Sequence, residues 1–212
     1  MIDTIIFDIG NVLVRFRWKE YINELGFDQE TNEKLAEATV GSRWWREIDL
    51  GASKDTYEAG MKADHPELEK ELELFFSRTE RIVEPFEYSK HLVKQLKEQG
   101  YRVYLLSNYG DFLYNQAAPQ FTFRNYVDGE LISYQIKAIK PDRKIYETLI
   151  EKFQIQPEHA IFIDDMKENI DGAKQVGLHG IVFQDYEQMC EALKDYAISV
   201  ELSSSMGSED EA

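Results

Sequence analysis

Four short runs constrain this chain most: TIIFD (4–8), RVYLLSN (102–108), AIFIDD (160–165) and GIVF (180–183). Each is continuously apolar through its centre and rich in β-branched residues. None alternates apolar with polar, so none suits a sheet with one face in water. Strands covered on both faces read this way, and such strands belong to parallel sheets. Helical patterns separate the later runs. YSKHLVKQLKEQG (88–100) carries Leu92, Val93 and Leu96 and closes on Gly100; PDRKIYETLIEKF (141–153) starts on Pro141 and spaces Ile145, Leu149 and Phe153 four apart. KENIDGAKQVG (167–177) and YEQMCEALKDY (186–196) complete the set. Strands alternating with helices predict an α/β fold, a Rossmann-like doubly wound parallel sheet. DGELISYQI (128–136) is expected to hold a further strand at an edge.

Residues 15–84 break the rhythm. WKEYINELG (18–26), ETNEKLAEATVG (30–41), SKDTYEAGMKA (53–63) and PELEKELELFFSRTE (66–80) all read as helix. The expected organisation is therefore a core from residues 1–14 and 85–200 with an inserted helical cap at 15–84. A cap after the first strand would cover the carboxyl ends of the strands, where ligands bind in this architecture. Residues 201–212 are polar and acidic and are expected to form a disordered tail.

Three of the runs end on groups with chemistry: Asp8, Ser107-Asn108 and Asp164-Asp165. Lys140 lies in KAIKP (137–141), just before a helix. If the strands are neighbours, parallel pairing brings these groups together. Three carboxylates in one cleft repel: at ~4 Å and an effective dielectric of about 20, each like-charged pair costs roughly 4 kcal/mol. One lysine cannot neutralise three acids, whereas a divalent cation can. Oxygen-only ligands favour Mg²⁺, which uses one or two carboxylates and a substrate phosphate. The residues thus point to a Mg²⁺ site that handles phosphate.

Charge narrows the partners. Lys and Arg total 24 against 40 Asp and Glu, a net charge of −16, which disfavours nucleic acid and anionic membranes. The single cysteine, Cys190, excludes an intrachain disulfide and fits a reducing, cytoplasmic setting. The N-terminus lacks the basic flank of a signal peptide, and no run approaches the length of a membrane span. Oligomeric state is not legible.

Over about residues 1–185 the chain resembles the haloacid dehalogenase superfamily, most of whose members are phosphatases. FDIGNVLV, LLSN, IKP and FIDDMKENIDGA match its four motifs in order and spacing. The resemblance implies that Asp8 is a nucleophile forming an aspartyl-phosphate. It implies Mg²⁺ ligation by Asp8, Asp164 and the Gly10 carbonyl, with Asp165 orienting the metal's waters. Ser107 and the Asn108 amide would hold phosphate oxygens, Lys140 would neutralise charge, and Asn169 would brace the site. The expected substrate is a small phosphorylated metabolite.

One departure stands out. Most phosphatases of the family carry a general acid two residues after the nucleophile, and here that position is Gly10. The Asp-x-Gly-Asn-Val pattern resembles a subgroup containing bacterial glucose-1-phosphate phosphatases and the phosphatase domain of some epoxide hydrolases. That implies a substrate with a good leaving group, such as a sugar 1-phosphate. Within GSRWWREIDLG (41–51), Asp49 is the candidate replacement acid, and Trp44, Trp45 and Arg46 could stack on a sugar and pair with an anion. Two other readings stand beside this one. A metal-independent 2-haloacid dehalogenase also uses an aspartate without the second acid, and a non-catalytic phosphometabolite-binding protein needs no acid at all.

Overall fold

The computed structural model describes residues 1–201. Five strands form one parallel sheet in the order β5-β4-β1-β6-β7: β1 Thr4–Phe7, β4 Arg102–Ser107, β5 Gly129–Ile132, β6 Ala160–Asp164 and β7 His179–Val182. Two further strands, β2 Val14–Phe16 and β3 Val83–Pro85, pair antiparallel on their own. The helices in chain order are α1 Trp18–Glu24, α2 Gln29–Ala38, α3 Arg43–Asp49, α4 Lys54–Asp64 and α5 Glu69–Ser77, then α6 Tyr88–Glu98 and α7 Asp111–Ala117. They continue with the single turn α8 Ser133–Ile136, then α9 Arg143–Phe153, α10 Lys167–Lys174 and α11 Tyr186–Lys194.

The uninterrupted apolar runs have their predicted cause. Every residue of β1 is buried. Ile5 and Phe7 pack into one core with residues of α6, α7 and α11, while Ile6 packs into the other with residues of α9 and α10. A strand with both faces covered has no polar position to spare. Gly100 and Gly177 take positive φ (91° and 92°) just past α6 and α10, the left-handed stop that only glycine adopts without strain.

The stretch between the first strand and α6 is not purely helical. β2 and β3 clasp at the base of the inserted helices, pairing Val14 with Pro85 and Phe16 with Val83. Three-residue strands are too short to show a period, which is why the sequence reads as helix throughout. The inserted helices carry their own apolar centre, including Tyr21, Leu35, Tyr57, Met61 and Phe75. The edge strand expected at 128–136 is confined to Gly129–Ile132, and SYQI winds into α8. Glu201, expected to begin the tail, is held by the Gln95 side chain and by the Tyr186 hydroxyl; the remainder of that tail lies outside the described residues.

Candidate active site

Register places the acids. Phe7 pairs with Ile163 of β6, so Asp8 and Asp164, each the next residue, stand level at the carboxyl ends of adjacent central strands. Ser107 ends β4 on the other side of β1. After β4, the Asn108 side chain makes a two-way clasp on Lys140: its amide donates to the Lys140 carbonyl (3.1 Å) and its carbonyl accepts the Lys140 N–H (2.8 Å). That clasp aims the lysine at the strand ends.

Lys140 Nζ sits 2.8 Å from Asp8 Oδ1 and 2.7 Å from Asp164 Oδ2. All three side chains are buried. Asn169, from the first turn of α10, donates to both Asp164 oxygens (2.9 and 3.1 Å), and the Met166 N–H donates to Asp164 Oδ1 (2.8 Å). Asp165 is reached by Asn11, whose amide donates to Asp165 Oδ2 at 3.0 Å. Asn11 itself lies at φ 54° in the turn after β1 and accepts the Phe16 N–H, so one asparagine ties the turn, β2 and Asp165 together. Asn11 is absent from the sequence-based candidates; the signal was its place beside Gly10, since asparagine tolerates the left-handed conformation.

Carboxylate oxygens of Asp8, Asp164 and Asp165 lie within 4.8 Å of one another. Three acids face one ammonium, so the site is short of positive charge. Burial, reinforced by the Asp164 charge, pushes the Asp8 carboxyl up to about 7 against the pull of Lys140 and a Ser107 hydrogen bond. Burial also raises Asp165, against the Asn11 hydrogen bond. Burial opposes the Lys140 ammonium, yet Asp164 and Asp8 outweigh it and hold its pKa above the ordinary lysine value. A largely buried, all-oxygen cluster with more negative than positive charge fits a hard divalent cation such as Mg²⁺.

These groups form the floor of a cleft of about 460 Å³. The opposite wall comes from the inserted helices and their clasp: Phe16, Val40, Trp45, Asp49 and Val83. α3 sorts the residues singled out in WWREID. Trp45 and Asp49, four apart, share the face toward the cleft. Trp44 is turned about 100° away: its indole N–H donates to Asp64 (2.9 Å), Arg43 stacks on its ring, and the ring fills the space beside Gly60. Arg46 is exposed and outside the cleft lining. The expectation that Trp44 and Arg46 bind substrate is therefore corrected, because helical geometry cannot turn three successive residues to one side. Of the two tryptophans named from the sequence, Trp45 is the one that lines the cleft.

The Asp49 carboxylate accepts no hydrogen bond from any described residue, and burial pushes it up to about 7 despite attraction from Lys140. Its backbone is well held: the Ser133 hydroxyl donates to the Asp49 carbonyl (2.6 Å) and accepts the Tyr109 N–H (2.9 Å). One buried hydroxyl thus fastens the end of α3 to the loop carrying Asn108. At Gly10 a Cβ would meet nothing within 4 Å, so the position of the missing acid is open space.

The parallel sheet with helices on both faces is a doubly wound α/β fold, and its carboxyl edge carries an aspartate, a bridging lysine and two vicinal aspartates. The chain belongs to the haloacid dehalogenase-like hydrolase family, whose model matches residues 2–177. It is 27% identical over 192 residues to the sesquiterpene phosphatase astK of Aspergillus oryzae, covering 89% of this chain and 93% of that protein. It is also 27% identical over 196 residues to the D-ribitol-5-phosphate phosphatase of Bacteroides thetaiotaomicron, covering 84% and 89%. Among solved structures, the HAD family enzyme bt-2542 of Bacteroides thetaiotaomicron, in complex with magnesium and inorganic phosphate, superposes with a TM-score of 0.69 at 23% identity over 89% of this chain and 99% of that one. The L-2-haloacid dehalogenase of Xanthobacter autotrophicus shares the fold at a TM-score of 0.61 and 15% identity, over 92% and 83%. Among the described residues no helix is long and apolar enough to cross a membrane.

Proposed function

We propose that this protein is a Mg²⁺-dependent phosphatase that hydrolyses a small phosphorylated metabolite through an aspartyl-phosphate on Asp8. The observation that carries the reading is the Asp8–Lys140–Asp164 bridge with Asp165 beside it. An Asp8 carboxylate oxygen attacks phosphorus, and the bond from phosphorus to the ester oxygen breaks. The leaving alkoxide takes a proton, and water then cleaves the aspartyl-phosphate to phosphate and free Asp8. Ser107, the Asn108 amide and Lys140 hold the phosphoryl oxygens as charge builds on them. Asp8, Asp164 and the Gly10 carbonyl would hold Mg²⁺, with Asp165 alongside, and the ion would supply the positive charge that two negative partners need in order to meet. Asn169 keeps Asp164 oriented.

Asp49 supplies the proton in this reading. It lines the same cleft as Asp8, its carboxylate has no hydrogen-bond partner among the described residues, and burial raises it to about 7. It replaces the acid that Gly10 omits. The inserted helices act as a cap that excludes water during the reaction. A sugar 1-phosphate remains the substrate implied by the Gly10 pattern alone, and the two phosphatase relatives, one named for a terpenoid and one for a polyol phosphate, do not choose between chemistries. The buried single thiol, Cys190, suits a cytoplasmic protein.

The test is phosphate release from phosphomonoesters with Mg²⁺ or with EDTA, beside Asp8→Asn. Metal-dependent release that Asp8→Asn lowers by roughly 10³-fold or more is the expected result. Turnover of a 2-haloacid in EDTA would instead establish the dehalogenase. Phosphate binding with no turnover of any ester would establish the binding protein.

A further inference from the structure

The polar groups of the cleft are unevenly distributed. Asp8, Ser107, Asn108, Lys140, Asp165 and Asn169 crowd its floor, where a phosphoryl group would sit. The apolar part of the lining is Phe16, Val40, Trp45, Val83, Leu113 and Met166. Phe16 and Trp45 form a continuous aromatic surface, with centroids 5.9 Å apart and planes inclined by 33°. Met166 is 51% exposed, one of three large apolar side chains left in solvent among the described residues, and it stands at this cleft. A flexible thioether there adapts to an apolar guest. Of the remaining lining residues, Asn11 is engaged with Asp165 and the Phe16 N–H, which leaves Asp49, Tyr109 and the Trp45 indole N–H as the polar groups.

We propose that this cleft takes the monophosphate of an apolar alcohol, an alkyl, alkenyl or aryl ester, in preference to a sugar or polyol phosphate. The inference rests on the phosphatase reading and names its substrate class. A sugar or polyol brings several hydroxyls into the site. Each one desolvated without a partner costs ~1–3 kcal/mol, or roughly five- to a hundredfold in affinity. Asp49 is already committed to the ester oxygen, so the walls leave most of those hydroxyls unpaired. A hydrocarbon group loses nothing on leaving water and gains from covering Trp45, Phe16 and Met166.

The decisive comparison is kcat/KM for cyclohexylmethyl phosphate against glucose 6-phosphate, with Mg²⁺. Both are esters of a primary alcohol borne on a six-membered ring. They therefore ask the same of the leaving group, and the chief difference is the hydroxyls. The expected result is a preference of at least tenfold for the hydrocarbon ester. Trp45→Ala and Met166→Ser should each narrow that preference, lowering kcat/KM for the hydrocarbon ester by a larger factor than for the sugar ester. Met166 lies at the surface, so its variant reads the wall even if Trp45→Ala folds poorly. Equal turnover of the two esters, or a preference for the sugar, overturns the substrate class and leaves the phosphatase standing. A preference that neither variant narrows also overturns it, because the walls would not be its cause. Absence of metal-dependent release from these esters and from phenyl phosphate overturns both readings together.

Discussion

Asp49 is where one side chain decides two measurable things. Its carboxyl titrates near 3.8 when the chain is unfolded and near 7 in the fold, because burial penalises the charged form. Between those values the folded state keeps a proton that the unfolded chain has released. Stability therefore declines as pH rises from about 4 to 7 and stays lowered above that. Asp49→Asn removes the penalty, so thermal melts should show the variant more stable at pH 8, by up to about 4 kcal/mol, and unchanged at pH 4. Its turnover should move the opposite way, with kcat on an alkyl phosphate falling ~10²–10⁴-fold. Because the space beside Gly10 is open, Gly10→Asp in that background can place a carboxyl where other members of the family have one, and part of the lost turnover should return. Unchanged turnover in Asp49→Asn would remove it as the acid. Asp8, Ser107 and Asp164-Asp165 were legible because each ends an apolar strand run, and Lys140 because it stands just before a helix. Trp44 and Arg46 misled because adjacent letters look like one cluster until helical rotation separates them.

The end of α3 depends on a close approach as well as on the Ser133 hydroxyl. A Cβ at Gly110, just before α7, would fall 2.2 Å from Ile48 Cγ2 and 2.8 Å from the Ile48 carbonyl oxygen. Gly110→Ala must therefore displace the backbone next to Asp49. The expected cost is about 1–3 kcal/mol of stability, together with a loss of kcat at least as large as stability alone would suggest, since folded enzyme would carry a misplaced Trp45 and Asp49. Melting curves beside turnover of the fully folded fraction check this; normal turnover in that fraction would show that the contact does not position the site. Longer elements were readable from sequence. All five sheet strands and the helices α6, α9, α10 and α11 fall where the apolar pattern puts them. β2, β3 and α3 were not, because three to seven residues cannot display a period, and their identity is set by what they pack against. α7 likewise carries Leu113 and Tyr114 into two different apolar centres, a division only the assembled fold reveals.

The chain as a whole opposes its own substrate. It carries a net charge of −16, and Lys140 is the one cationic side chain among the residues lining the cleft. A phosphomonoester dianion therefore approaches against a repulsive field that salt screens. With Mg²⁺ held saturating, raising KCl from about 10 to 200 mM should increase kcat/KM for a dianionic ester by a few fold. A decrease would show that local attraction at the cleft mouth outweighs the global charge. Acidity and reach could be read from composition, but the apolar lining could not, because its residues come from segments far apart in the sequence. The clasp of β2 with β3 gives that arrangement a last consequence. The chain leaves the β2–β3 pair at Phe16 and returns to it at Val83, and these two residues are paired. The whole insertion is thus a cassette with its two ends soldered side by side. Any module whose termini meet at that spacing could be spliced onto the same two strands, bringing a new guest to an unaltered set of reactive groups.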